Sequence, residues 1–148
     1  MKIAVEESKP LGMLLIDIDD FKQINDKYGH QVGDQVLRVL ARELTTLVKR
    51  DSDVCARIGG DEFVVIIDGA SMDIAISMGK RLLEKIQSLN TVAMSPSNVC
   101  NFTVSIGVNS VLPTEGNSFS KFMNSTDRVL YAAKESGKNT MVVNSMYP

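Results

Sequence analysis

Three aspartates, Asp17, Asp19 and Asp20, crowd the end of the apolar run Met13 to Ile18. Carboxylates beside a buried strand repel one another and are costly to desolvate unless positive charge accompanies them. Strand side chains alternate, so Asp17 and Asp19 share a face if the strand continues that far. A hard divalent cation with oxygen ligands would offset the repulsion. The alternative is a solvated strand-to-helix turn in which Asp20 caps the helix. A second group is Arg57, Ile58, Gly59, Gly60, Asp61, Glu62 and Phe63. Its two glycines let the backbone turn and leave room for a ligand, while Asp61 and Glu62 add carboxylates at the turn. The same tetrad also makes an acceptable hairpin turn with no chemistry. Should the hairpin strand lie beside the first strand, Asp61 meets Asp17, and the pair suits metal-assisted phosphoryl or nucleotidyl transfer.

These residues need elements to hold them. Met13–Ile18 reads as a buried strand, and Phe21, Ile24 and Tyr28 recur at helical spacing until Gly29. A longer helix is predicted from Gly33 to Lys49, on a stripe of Val36, Leu37, Leu40, Leu44 and Leu47. Asp53–Ile58 and Glu62–Ile67 read as the two strands of a tight hairpin. Met72–Leu89 is amphipathic and helical, a polar segment containing Pro96 follows, and Phe102–Val108 alternates like a half-buried strand. Pro113–Asn117 is a loop by composition, Ser120–Ser136 a last helix stopped by Gly137, and Thr140–Val143 a short strand. Strands and helices alternate, yet one strand pair is a hairpin, so the fold is α/β with a mixed sheet flanked by helices.

With 148 residues and 44% hydrophobic composition, the chain can build one well-buried core but not comfortably two, so a single domain over 1–148 is expected. A net charge of -2 gives no broad cationic field of the kind that tracks a nucleic-acid backbone. Cys55 and Cys100 form no CxxC pair and are expected to be buried free thiols. Gly12–Ile18 is too short to span a bilayer and the first residues lack the apolar stretch of a signal peptide, so no direct membrane contact and a cytoplasmic location are expected. A membrane-bound parent protein remains compatible with this.

RIGGDEF at Arg57–Phe63, with DIDDFKQIND upstream and YAAKESGKN downstream, resembles the GGDEF family of diguanylate cyclases. The likeness covers nearly the whole chain, with three separated motifs in the right order. It implies a mixed, mostly antiparallel sheet wrapped by helices (α+β), related to the palm of nucleotide polymerases and to class III nucleotidyl cyclases. It also implies condensation of two GTP into cyclic di-GMP, by attack of a 3'-hydroxyl on an α-phosphate with magnesium, or manganese, as cofactor. By the same resemblance Asp17 and Asp61 are metal ligands together with the carbonyl of Ile18, and Glu62 is the neighbouring catalytic acid. The backbone at Phe21 and Lys22 faces the phosphates at a helix N-terminus, where free amides favour anions. Gly59 and Gly60 adjoin the substrate, and Asn25 and Asp34 match guanine readers. One carboxylate accepts from guanine N1–H and its exocyclic amine together, whereas adenine leaves it unpaired.

Lys134 and Lys138 match a distal phosphate-binding pair, with lysine at 138 where many members carry arginine, which keeps the charge and loses the bidentate fork. Arg50 and Asp53 form an RxxD pattern at the distance before Gly59 that matches the family's product-inhibition site. His30, the only histidine, is expected in the turn between two helices rather than in catalysis. Each domain resembles half an active site, so a homodimer is implied for turnover. The chain departs from the family pattern at its start: no helix and DxLTxLxNR segment precedes Lys9, which suggests a trimmed form of the domain. A nucleotide receptor without turnover is the main rival, although Asp17, Asp61 and Glu62 are all present; loss of Asp34 would have been the cue for a mixed GMP and AMP product.

Overall fold

The computed structural model describes residues 9–89, 101–113 and 118–144. Among these residues, five strands and four helices follow the order β1 (Leu11–Ile18), α1 (Phe21–Tyr28), α2 (His30–Leu47), β2 (Val54–Arg57), β3 (Glu62–Asp68), α3 (Met72–Leu89), β4 (Val104–Val111), α4 (Phe119–Glu135) and β5 (Thr140–Val143). The sheet runs β2-β3-β1-β4-β5. β1 is antiparallel to both β3 and β4, β2 is antiparallel to β3, and among the described residues only the β4–β5 pair is parallel. The mixed, mostly antiparallel sheet is therefore present.

β1 sits at the centre and every one of its residues is buried, which is why its sequence is a near-continuous apolar run rather than an alternation. One face, carrying Leu14, Ile16, Val65 and Ile67, packs with the apolar stripes of α2 and α3. The other, carrying Met13, Leu15, Val64 and Ile66, packs with Phe122 and Leu130 of α4. α1 and α2 are separated by Gly29 alone, whose φ of 92° is in the region where glycine carries no penalty. α2 thus starts at His30, three residues before the predicted Gly33, and the histidine is the exposed first residue of the helix instead of part of the turn.

Two expectations about burial need correction. β4 was read as half-buried, yet all eight residues are enclosed. Its polar side chains are satisfied internally: Asn109 donates to Ser125 Oγ at 3.0 Å and Thr126 Oγ1 at 3.1 Å, and Ser105 donates to Asp19 at 2.6 Å. Gly107 makes this possible, because a Cβ there would lie 2.6 Å from the Leu130 nitrogen of the helix laid across it. Cys55 was expected to be buried and is exposed, since β2 is an edge strand with β3 as its only sheet neighbour among the described residues. Cys100, the Pro96 segment and most of the 113–117 loop lie outside the described residues. No described helix is long and apolar enough to cross a membrane.

Candidate active site

The antiparallel pairing of β1 with β3 sets Asp17 opposite Glu62. The Ile18 amide then donates to the Asp61 carbonyl at 3.1 Å, so the last residues of β1 run into the tip of the β2–β3 hairpin. The tip is closed by the Ile58 amide on the Glu62 carbonyl at 2.9 Å, and Arg57 folds back to donate to the carbonyls of Gly59 at 3.1 Å and Gly60 at 2.6 Å. Neither Gly59 nor Gly60 is among the positive-φ residues, so the turn itself does not require glycine. What their missing side chains leave is open space: a Cβ on Gly60 would meet nothing within 4 Å.

Asp17 is buried, and burial pushes its carboxyl up to about 6; the hydrogen bond from Lys134 opposes this and the neighbouring charge of Asp61 adds to it. Lys134 donates to Asp17 Oδ2, whereas Oδ1 is buried with no partner. Glu62 is raised as well, by burial first and then by the charge of Asp127. Burial alone would lower Lys134, yet its hydrogen bond to Asp17 and the charges of Asp17, Asp61 and Glu62 outweigh that and raise it. A buried acceptor lacking a donor, beside a second acid, fits a hard cation with oxygen ligands. Among the described residues no three acidic, histidine or cysteine side chains converge as a cage. An ion here therefore takes its remaining ligands from main chain, water or phosphate, as magnesium commonly does.

Asp20 has φ 54° and stands before α1 without capping it by its side chain. Its carboxylate instead accepts from Lys138 Nζ at 2.6 Å, and that contact raises Lys138. α4 ends at Glu135, and Gly137 turns the chain at φ 119°, so Lys134 and Lys138 reach different acids from opposite sides of a helix end. Phe21 and Lys22 are the first two residues of α1, and Ile24 N is the amide that reaches back to Asp20 O. Asn25 leans on α2 so closely that a Cβ at Gly33 would lie 1.8 Å from its Oδ1. The exposed Asp34 is the next residue, so these two polar groups flank one helix crossing.

Asp19 does not join the open site. It is buried and accepts from Thr103 Oγ1 at 2.6 Å, Ser105 Oγ at 2.6 Å and the Asn139 amide at 2.9 Å. Sequence reasoning grouped it with Asp17 and missed Thr103, Ser105 and Asn139 as its partners; only Asn139, inside the ESGKN stretch, lay in a motif that was noticed. Arg50 and Asp53 stand away from these acids, on the loop before β2. Arg50 Nη2 meets Asp53 Oδ1 at 3.1 Å and donates to the Asp68 carbonyl, while the Asp68 amide donates to Asp53 at 3.3 Å. A cleft of about 400 Å³ opens beside them, lined also by Leu47, Lys49 and Ile74.

A family profile described as "Diguanylate cyclase, GGDEF domain" matches residues 1–140. Probable diguanylate cyclase DgcC of Escherichia coli (strain K12) is 39% identical over 127 residues, 86% of this chain and 33% of that protein. Response regulator PleD of Caulobacter vibrioides is 37% identical over 142 residues, 96% of this chain and 31% of that protein. The chain thus spans about a third of the length of these relatives. The crystal structure of the GGDEF domain of DgcB from Caulobacter crescentus in complex with c-di-GMP superposes with a TM-score of 0.85 at 29% identity, covering 95% of this chain and 81% of that one. The active GGEEF domain of a diguanylate cyclase from Vibrio cholerae gives 0.77 at 28% identity, covering 91% and 83%. With its acids gathered at the β1–β3 end and the family profile matching residues 1–140, the chain belongs to the GGDEF domain family of diguanylate cyclases.

Proposed function

We propose that this domain is a diguanylate cyclase, condensing two GTP into cyclic di-GMP across a homodimer of half-sites. The observation that carries the reading is the buried, donorless Oδ1 of Asp17 beside Asp61. Asp17, Asp61 and the Ile18 carbonyl would hold magnesium, with manganese as a substitute. When bound, the ion supplies polarisation of the attacking hydroxyl and a counter-charge for the α-phosphate oxygens. Main-chain amides of Phe21 and Lys22 donate to the triphosphate at the start of α1. Lys134 and Lys138 turn from Asp17 and Asp20 to the distal phosphates. Asn25 and Asp34 read the guanine edge, and the open tip at Gly59 and Gly60 lets the nucleotide approach the backbone.

The 3'-hydroxyl oxygen of one GTP forms a bond to the α-phosphorus of the other, the bond to pyrophosphate breaks, and the hydroxyl proton passes to Glu62, whose raised affinity for protons suits a base. A second such transfer closes the ring. One domain holds one nucleotide, so the second comes from a partner copy. Cyclic di-GMP also binds at Arg50 and Asp53 and restrains the dimer, a reading supported by the adjoining cleft; Arg50 forks onto phosphate or a guanine edge and Asp53 accepts from guanine. The domain works in the cytoplasm, where GTP is, without nucleic acid or membrane contact of its own.

Incubation of a dimerised form with GTP and magnesium tests this. Cyclic di-GMP and pyrophosphate are expected, with specific activity rising steeply with protein concentration. Tight GTP binding by a dimer without turnover would replace the enzyme with a receptor. Constant specific activity down to monomeric dilution would remove the half-site.

A further inference from the structure

Asp19 sits where three parts of the chain meet, and its hydrogen bonds run to Thr103, Ser105 and Asn139. Its own amide donates to the Thr103 carbonyl at 2.9 Å, and its carboxylate takes the hydroxyls of Thr103 and Ser105. The third donor is the amide of Asn139, the residue after Lys138. Lys138 and Asn139 both have positive φ, 64° and 48°, in a region that disfavours side chains, and they follow Gly137 at 119°. Gly137 carries no penalty there, but Lys138 bears a side chain in that conformation at a cost, and Asn139 at a smaller one. Hydrogen bonds that close this turn, the Lys138 amide on the Ala133 carbonyl at 3.2 Å and the Asn139 amide on Asp19, compensate for it. The Asp19 bond ties the turn to the end of β1, while Thr140, the next residue, pairs with β4 as the start of β5, and the Asn139 side chain accepts from Gln87 of α3 at 3.2 Å.

From this we infer that Asp19 is a positioning residue: it anchors the Gly137–Asn139 turn to the end of β1 so that the Lys138 ammonium is delivered beside the start of α1. The inference rests on the phosphate-binding reading of Lys138 and adds to it the device that places the lysine. Asp19 does not touch the nucleotide. Its anchor converts a flexible side chain on a strained turn into a preorganised charge, which lowers the ordering cost of binding. Thr103 and Ser105 hold the anchor by keeping its other lone pairs occupied.

The test is binding of magnesium with a GTP analogue whose α,β-bridge is methylene, compared with GMP, which lacks the distal phosphates. Asp19→Asn is expected to weaken the analogue about tenfold and leave GMP unchanged. In a Lys138→Met background the same substitution is expected to add nothing, because interacting residues are not additive. Equal weakening of both ligands, or multiplying losses in the double variant, would overturn the positioning role. If Lys138→Met alone leaves analogue binding unchanged, the phosphate reading of Lys138 fails, and that outcome is distinct because it appears without any change at 19. Ser105→Ala and Thr103→Val each remove one donor without altering charge, and serve if Asp19→Asn folds poorly. Each is expected to reproduce part of the analogue-specific loss, and no loss from either would also overturn the role.

Discussion

Asp17 and Asp19 are the same residue type, two positions apart on one strand end and both buried, yet the fold treats them oppositely. Asp19 receives three donors of fixed geometry, a buried charge with its hydrogen bonds made. Asp17 receives one flexible ammonium on one oxygen, a second acid beside it, and nothing on the other oxygen. Burial of a carboxylate is therefore not itself a mark of function. The mark is burial with the donor set left incomplete, since an unmet acceptor costs stability that only a ligand returns.

The contrast can be broken at several strengths. The largest effect is expected from Asp61→Ala, which removes the second acid from the open pair: turnover should fall by at least about a hundredfold while circular dichroism and the melting transition stay close to the parent. Retained turnover would take Asp61 out of the ion site. Next, Asp19→Asn should lower stability by about 2 kcal/mol in chemical denaturation, because an amide has only one oxygen to accept what the carboxylate accepts with two. An unchanged denaturation midpoint would make its three bonds energetically idle.

A third effect is in pH. The Asp17 carboxyl must lose its proton to ligate, and its affinity for that proton is raised to about 6. Magnesium affinity measured without nucleotide should be full near neutrality and fall about tenfold per pH unit below about 6. The same shift has an opposite sign for the ion-free fold. Folded Asp17 binds its proton more tightly than the unfolded chain, so the stability of the ion-free protein should decline as pH rises from the ordinary carboxylate range through about 6. Asp17→Asn removes that penalty and should raise the ion-free melting temperature by a few degrees, about what 1 kcal/mol gives a domain of this size. A lower melting temperature would show that the Lys134 pair outweighs the cost of burial. The last change is Arg50→Ala, which removes a half-exposed guanidinium from the buried Asp53 carboxylate and leaves that acid its bond from the Asp68 amide. Its initial rate should match the parent, and progress curves should lose the slowing caused by accumulated product; unchanged slowing would reduce the RDSD stretch to an ordinary loop.

Much of this was legible from the residues. Apolar periodicity marked every described element within a few positions, because helix and strand spacing are local properties of the chain. The sequence reading brought Asp61 to Asp17 on condition that the hairpin strand lies beside the first, and β3 does pair with β1, with Asp17 opposite Glu62. Burial of β4 was less legible, since its Ser and Asn residues look solvent-facing until a helix carrying Ser125 and Thr126 is laid over them. The glycine pair was read both as a turn device and as room for a ligand; the backbone does not need glycine for the turn, and the clear space at Gly60 is present.

The sequence by itself determined the elements, the one hairpin that makes the sheet mixed and the motifs of a GGDEF domain, each read from residues a few positions apart. Only the tertiary structure decided which acid is open and which is closed. The donors that satisfy Asp19 come from 84, 86 and 120 positions away, and the lysine on Asp17 from 117. Two aspartates that are equivalent along the chain become different chemical groups once distant hydroxyls, an amide and an ammonium are brought to them.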